Sequence, residues 1–239
     1  MSTARPYEGH RWNESEQAAT AVNWKRYWSG RIKKHLGESV LEVGAGLGAN
    51  TPFLVGPRQK QWVCLEPDSA LVARIPDSLG THPYLDRVEA RVGMLQDIPA
   101  APAFDTILYI DVLEHIEHDA RELTDALARL KPGGKIVVLS PAYQSLYTVF
   151  DEGLGHYRRY NRKTLRACTP AGAELEELYF LDSIGVFASV ANKLFLHQSA
   201  PTPGQTLFWD RYLVTASKLA DPLVFFQTGK SIVGVWIKL

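Results

Sequence analysis

Residues Val40 to Thr51 read V-L-E-V-G-A-G-L-G-A-N-T. The first of them form an apolar run of the kind a buried strand shows. Gly44, Gly46 and Gly48 then alternate with other residues ahead of a helical pattern over Asn50–Leu54. Glycine lets a backbone turn sharply and lets a ligand approach it, because no Cβ stands in the way. A helix that follows such a turn offers unpaired N–H groups. Glu66 closes the next apolar run about twenty residues on, where an acid can accept hydrogen bonds from two ribose hydroxyls. Loop and acid together point to a nucleoside-containing ligand. Gly44, Gly46 and Ala49 also satisfy the looser dinucleotide fingerprint, so the loop alone leaves two nucleosides open.

Outward from this loop, apolar runs alternate with helical patterns. Ser39–Val43, Gln61–Leu65, Val88–Val92, Phe104–Ile110 and Lys135–Ser140 read as five strands. Helices are expected at Asn23–Leu36 ahead of them, and at Ser69–Ala73 and Ala120–Leu130 between them. Lys131-Pro132-Gly133-Gly134 reads as the stop between the last of these helices and the fifth strand. Val-, Ile- and Leu-rich strands separated by helices imply a parallel sheet covered on both faces. Beyond Pro141 the pattern changes to a long aromatic and charged connection. A strand near Leu175–Phe180 follows it, with helical stretches at Val186–Leu196 and Thr206–Phe225. Ser231–Lys238 alternates apolar and polar residues like an edge strand. The only linker-like piece is 198–205, and no internal repeat is present.

Composition narrows the class. The chain has 239 residues, 46% of them hydrophobic, which suffices for one substantial core and sets a single domain as the expectation. Lys plus Arg and Asp plus Glu both number 26, so the formal net charge is zero. That argues against a nucleic-acid partner held mainly by charge, while leaving a local basic patch open. Cys64 and Cys168 make no disulfide framework, which fits a cytoplasmic location. The N-terminus lacks the apolar segment of a secretory signal. Leu178 to Leu196, the longest apolar stretch, is broken by Asp182, Asn192 and Lys193 and is not expected to span a membrane.

Four segments in order, V-L-E-V-G-A-G-L-G, W-V-C-L-E-P-D, F-D-T-I-L-Y-I-D-V-L-E-H-I and L-K-P-G-G-K-I-V-V-L-S-P, resemble the class I S-adenosylmethionine-dependent methyltransferases. The resemblance covers residues from about 39 to 141, and choosing this family resolves the nucleoside in favour of S-adenosylmethionine. It implies a doubly wound, mostly parallel, seven-stranded α/β sheet of Rossmann-like methyltransferase fold. The N-terminal helical cap would be 1–38, the cofactor-binding core 39–141, and the substrate side 142–170 with a helical insertion at 185–226. Matched by position, Glu42 with Gly44, Ala45, Gly46 and Gly48 would hold the methionine portion of the cofactor. Glu66 would take the ribose hydroxyls with Pro67 beside it, and Met94 and Leu95 would line the adenine. Many relatives carry an acid where Met94 stands, so the adenine amine here falls to backbone groups or to Asp97. Asp111 matches a position near the sulfonium, where an anion is electrostatically favourable. S-adenosylhomocysteine would be the product. Fainter likeness in P-A-Y-Q-S-L-Y, D-E-G-L-G-H-Y-R-R-Y and G-K-S-I-V-G-V-W points to a bacterial subgroup with mixed small-molecule substrates.

A sulfonium already supplies an excellent leaving group, so the protein's work is to align a nucleophile and, where needed, remove its proton. His115 has two readings, a part of the cofactor shell or a general base. Gly155-His156-Tyr157-Arg158-Arg159-Tyr160 also has two. Either its arginines pair with Asp151 and Glu152 on a solvated loop, or His156 and Tyr157 face the substrate and serve catalysis while one arginine binds a carboxylate or phosphate, with Arg158, Tyr160 and Tyr143 as the expected substrate contacts. The apolar insertion is either helix-on-sheet packing with a dimer contact or a pocket for a hydrophobic acceptor. Trp28, with Trp24, Tyr27, Tyr7 and Trp12, either closes that pocket as a substrate contact or is simply a core residue. The Cys and His residues lack metal-ligand spacing, so no metal is expected. The chain is therefore read as a small-molecule methyltransferase, monomer or homodimer, with oxygen of a natural-product or saccharide-lipid acceptor as the first choice. Carbon or nitrogen methylation is the alternative within the fold. A base-methylating motif is absent where Ile110-Asp111-Val112-Leu113 stands, which disfavours nucleic acid. A non-catalytic binding protein on the same fold is the rival from another class.

Overall fold

The computed structural model describes residues 21–191 and 202–239. The seven strands are β1 (Ser39–Val43), β2 (Gln61–Glu66), β3 (Val88–Val92), β4 (Phe104–Ile110), β5 (Leu130–Pro141), β6 (Ala173–Leu181) and β7 (Ser231–Lys238). They lie in the order β3-β2-β1-β4-β5-β7-β6. The first five run parallel, and β7 is antiparallel to both of its neighbours. The order reverses between β1 and β4, the point where open α/β sheets bind ligands. Val43 is level with both Leu65 and Tyr109, so the segments leaving β1, β2 and β4 emerge at one edge.

Two short helices, α2 (Ser69–Val72) and α3 (Ile75–Leu79), follow β2. Alternate side chains feed two cores, one on each face. Leu41, Ile107, Tyr109 and Val138 face Leu123 and Leu127 of α4 (Asp119–Leu127). On the other face, Val40, Leu108, Val137 and Val233 meet Trp24, Trp28 and Ile32 of α1 (Val22–Ile32). α1 is anchored by the insertion: Asp210 accepts hydrogen bonds from the backbone N–H groups of Asn23 (3.1 Å) and Trp24 (2.8 Å). A carboxylate there satisfies orphan donors and complements the helix dipole. Tyr27 donates its hydroxyl to buried Asp221 at 2.7 Å, a second tie between α1 and the insertion.

Four expectations are corrected. Ser231–Lys238 is an interior strand between β5 and β6, because Ile232, Val233, Val235 and Trp236 are apolar on both faces. The edge at this end of the sheet is β6, where exposed Glu174 opposes further strand pairing. Asn50–Leu54 contains only one 3-10 turn, Thr51–Phe53, since Pro52, Gly56 and Pro57 leave no room for a longer helix. The Lys131–Gly134 stop is a bulge within β5, marked by a register shift and by Gly133 at φ 72°. The long connection after β5 carries two short helices, α5 (Val149–Leu154) and α6 (Arg162–Ala167), with 155–160 between them.

The insertion consists of α7 (Ser183–Ala191), then α8 (Pro203–Phe208), a π-helical turn at Trp209–Leu213 and α9 (Val214–Leu223). Its inner face buries Val214, Ser217 and Asp221, while Phe187, Leu207, Leu219 and Leu223 are exposed. The expected linker and the end of the first insertion helix fall largely outside the described residues, as do Tyr7 and Trp12. Among the described residues no helix is long and apolar enough to cross a membrane.

Candidate active site

The glycine loop has the backbone its sequence requires. Gly44, Gly46 and Gly48 have φ of 65°, 56° and 71°, a region that side-chain-bearing residues rarely adopt. A Cβ at Gly44 would stand 2.7 Å from a Val112 methyl, so that glycine serves packing. A Cβ at Gly46 would meet nothing within 4 Å, so that position opens outward. The Gly46 N–H donates to one Glu66 carboxylate oxygen at 2.9 Å, and the Asp68 N–H donates to the other at 3.1 Å. Two backbone donors thus hold the acid at the loop.

Glu42, in β1, is buried and accepts from Thr51 Oγ1 (2.7 Å) and Trp62 Nε1 (2.9 Å) on the same oxygen. Its other oxygen has no partner among the described residues, and burial raises the pKa of the group. Lys25 of α1 reaches the same place, with Nζ 3.0 Å from the Ala49 carbonyl. Burial lowers its pKa to about 8 against the pull of Glu42 and Asp111. No spacing in the sequence marks Lys25, because the fold alone brings α1 over the loop.

Asp111 follows β4 with φ 54°, a left-handed conformation unusual for a residue with a side chain. Such strain is concentrated at functional sites. Solvent reaches Asp111, yet the protein around its carboxyl pushes its pKa up to about 6, opposed by the charges of His156, Lys230 and Lys25. A cation placed against this group would favour its ionised form.

His115 and His156 converge, their rings 4.5 Å apart and nearly perpendicular. His156 Nδ1 lies 3.0 Å from Asp151 Oδ1, a spacing at which the Nδ1–H tautomer donates. Asp151 is fixed in turn by Arg159, through two hydrogen bonds of 2.7 and 2.9 Å, and by Thr148. Burial alone would raise the Asp151 pKa, but the bonds from His156 and Arg159 hold it well below the usual carboxylate range. Of the expected arginine pairings, Arg159 therefore takes Asp151, whereas Arg158 pairs with Asp119 at 2.8 Å.

Several expected contact residues occupy other roles. Trp28 is fully buried in the core on the α1 face and faces no cleft. Tyr160 is equally buried, its hydroxyl 2.7 Å from Asp119, and it anchors the 155–160 segment. Leu95 is a core side chain, and exposed Met94 donates its N–H to Asp97 at 2.8 Å. Pro67 is exposed beside Glu66. Tyr143 sits at φ 64° and stacks on Phe180, with its hydroxyl 2.9 Å from Thr228. Tyr157 is half exposed next to Arg158. A shallow recess at the opposite, amino edge of the sheet is lined by Lys34, Asp105, Lys131 and Lys135. Its lysines are taken by Glu177, Asp105 and Glu176.

This geometry agrees with comparison to known proteins. A model of the methyltransferase domain family matches residues 19–178, and the chain belongs to that family. A methyltransferase domain is the class of protein that the fold and glycine loop define. A "probable S-adenosylmethionine-dependent methyltransferase" of Mycolicibacterium smegmatis is 30% identical over 155 residues, 63% of this chain and 56% of that protein. A tRNA U34 carboxymethyltransferase of Shewanella baltica is 25% identical over 125 residues, 49% of this chain and 37% of that one. The chain thus spans roughly half or less of these curated relatives. Among solved structures, a geranyl diphosphate methyltransferase in complex with its methyl donor superposes with TM-score 0.65 at 12% identity, covering 98% of this chain and 92% of that chain. At that identity the likeness is one of fold.

Proposed function

We propose that the chain methylates a hydroxyl oxygen of a small-molecule acceptor bound over the carboxyl edge of the sheet. The supporting observation is the convergence of Asp111, His115 and the Asp151-backed His156 beside the glycine loop. Bound S-adenosylmethionine supplies an activated methyl group on a cationic sulfur. The residues present suit it: the unpartnered oxygen of Glu42 awaits a donor, and Gly46 leaves space where a Cβ would intrude. Glu66 takes the ribose hydroxyls. Lys25 would meet the methionyl carboxylate, and Glu42 and Asp111 would meet the ammonium and sulfonium. His156 Nε2 would take the proton of the acceptor hydroxyl, with Asp151 steadying the resulting imidazolium. The exposed apolar side chains of the insertion support a hydrophobic acceptor.

The acceptor reading is tested by incubating the protein and candidate hydroxylated acceptors with methyl-labelled cofactor, then locating the label by mass spectrometry. Label on oxygen supports it. Label only on carbon or nitrogen overturns it and leaves the methyltransferase intact. Placement of the cofactor has its own test. Glu66→Ala should weaken cofactor binding by about 1–3 kcal/mol, the cost of hydrogen bonds lost to a charged group. Equal affinity by calorimetry would show that the ribose is held elsewhere.

A further inference from the structure

Glu114 is the residue that neither the glycine loop nor the histidine pair explains. It lies in the 3-10 turn Leu113–His115 after β4 and is 0% exposed. Ser140 donates to its Oε2 at 2.9 Å, but its Oε1 has no partner among the described residues. Leaving a buried carboxyl oxygen unmatched is costly unless something completes it.

The groups around Glu114 supply the rest of a coordination sphere. One carboxylate oxygen of Glu114 and one ring nitrogen from each of His115 and His156 lie within 4.8 Å of one another. Ligands about 2.1 Å from one ion stand at most about 4.2 Å apart, so small side-chain rotations close the set. The His156 ring is already oriented as metal-bound imidazoles are, with Nδ1 turned to Asp151 and Nε2 left for a ligand. The side chains of His156 and Asp151 are 7% and 1% exposed, so the carboxylate that steadies the ring is itself shielded from water. Two imidazoles and one carboxylate suit a first-row divalent cation and leave positions open for an oxygen of a bound molecule.

We propose that Glu114, His115 and His156 bind a divalent transition-metal ion whose open positions take the acceptor's oxygen. This rests on the acceptor reading above and deepens it. Methyl transfer draws its driving force from the sulfonium, and the cation's part is to grip and acidify the acceptor. The same nitrogen cannot ligate and take a proton, so the ion-loaded form works differently from the ion-free one. With the ion seated, the metal lowers the hydroxyl pKa and the proton leaves to water. The oxygen lone pair then forms the new bond to the methyl carbon as the carbon–sulfur bond breaks, and that bonding pair goes to sulfur. Glu114 and His115 are adjacent, but His156 is far along the chain, so spacing in the sequence hid the set.

The test uses chelator-stripped full-length protein titrated with cobalt(II), read by visible absorption, and with zinc(II), read by calorimetry. The expected result is saturation of the cobalt bands at about one ion per chain. Glu114→Gln and His156→Gln should each weaken binding of both ions by at least about tenfold, a loss that even second-shell changes can cause. Cofactor affinity, measured alongside, shows that each variant is folded, and either variant suffices if the other is not. No cobalt bands, or bands unchanged in the folded variants, overturn the proposal. Label on oxygen together with no cobalt binding would sink this inference and leave the acceptor reading standing. Cobalt binding with label only on nitrogen or carbon would do the reverse to that reading, keeping the site but not its oxygen ligand.

Discussion

His156→Ala is expected to lower turnover by about 10²–10⁴-fold at saturating cofactor while cofactor affinity changes little. The size follows from what the ring does and from what supports it. His156 lies against His115 at the rim of the cleft, and Asp151 fixes its tautomer from behind. Asp151 is itself held by Arg159 and Thr148, so the imidazole is positioned by side chains that cannot easily move. Asp151→Asn keeps the shape but weakens support for an imidazolium, and it should give a smaller loss in turnover. Stopped assays at saturating cofactor, with calorimetry for cofactor binding, separate the catalytic effect from a folding defect. If His156→Ala stays within a few-fold of the parent protein, proton removal at this ring is not part of the reaction. The acceptor would then be a group already ionised in water, such as a carboxylate or an acidic phenol, for which alignment suffices.

How far this site could be read from the sequence depended on chain separation. The glycine loop and Glu66 belong to one strand–loop–strand unit, and the backbone demands of the turn leave a local trace. Strands β1, β2, β4 and the inner part of β5 are legible for a related reason: residues buried on both faces must be apolar in continuous runs. Ser231–Lys238 was misplaced because Gly234 and the polar ends imitate a half-buried alternation. Lys25, Glu114 and the Asp151–His156 pair acquire their meaning only when α1, the turn after β4 and the connection after β5 meet. No spacing rule links them. Met94 is a different case, since the resemblance pointed to a departure at that position and the structure places its side chain outward. Tyr160 was legible as important but not as buried, because its partner Asp119 is distant in sequence.

Trp28 takes the core rather than the substrate reading of its helix face, and its replacement should carry the largest cost in stability. Trp24, Trp28 and Ile32 recur at four-residue spacing, the signature of one helix face. The structure turns that face to the sheet, where Trp28 is 1% exposed and shares a core with Val40, Val137 and Val233. Trp28→Ala removes the ring from a site that α1 cannot collapse to refill, because Asp210 and Asp221 hold the helix to the insertion. The expected loss is about 3–5 kcal/mol of folding free energy, transfer and cavity costs combined. Urea denaturation should register it as a lower midpoint with little change in slope. The acceptor KM of protein that remains folded should stay near that of the parent, since the ring touches no part of the cleft. A raised KM with unchanged stability would mean that Trp28 swings out of the core to meet the acceptor, and α1 would then be a moving wall of the site. Lys25 lies on the same helix, so such a motion would also alter cofactor affinity, and measuring both constants on one variant tells a fixed helix from a moving one.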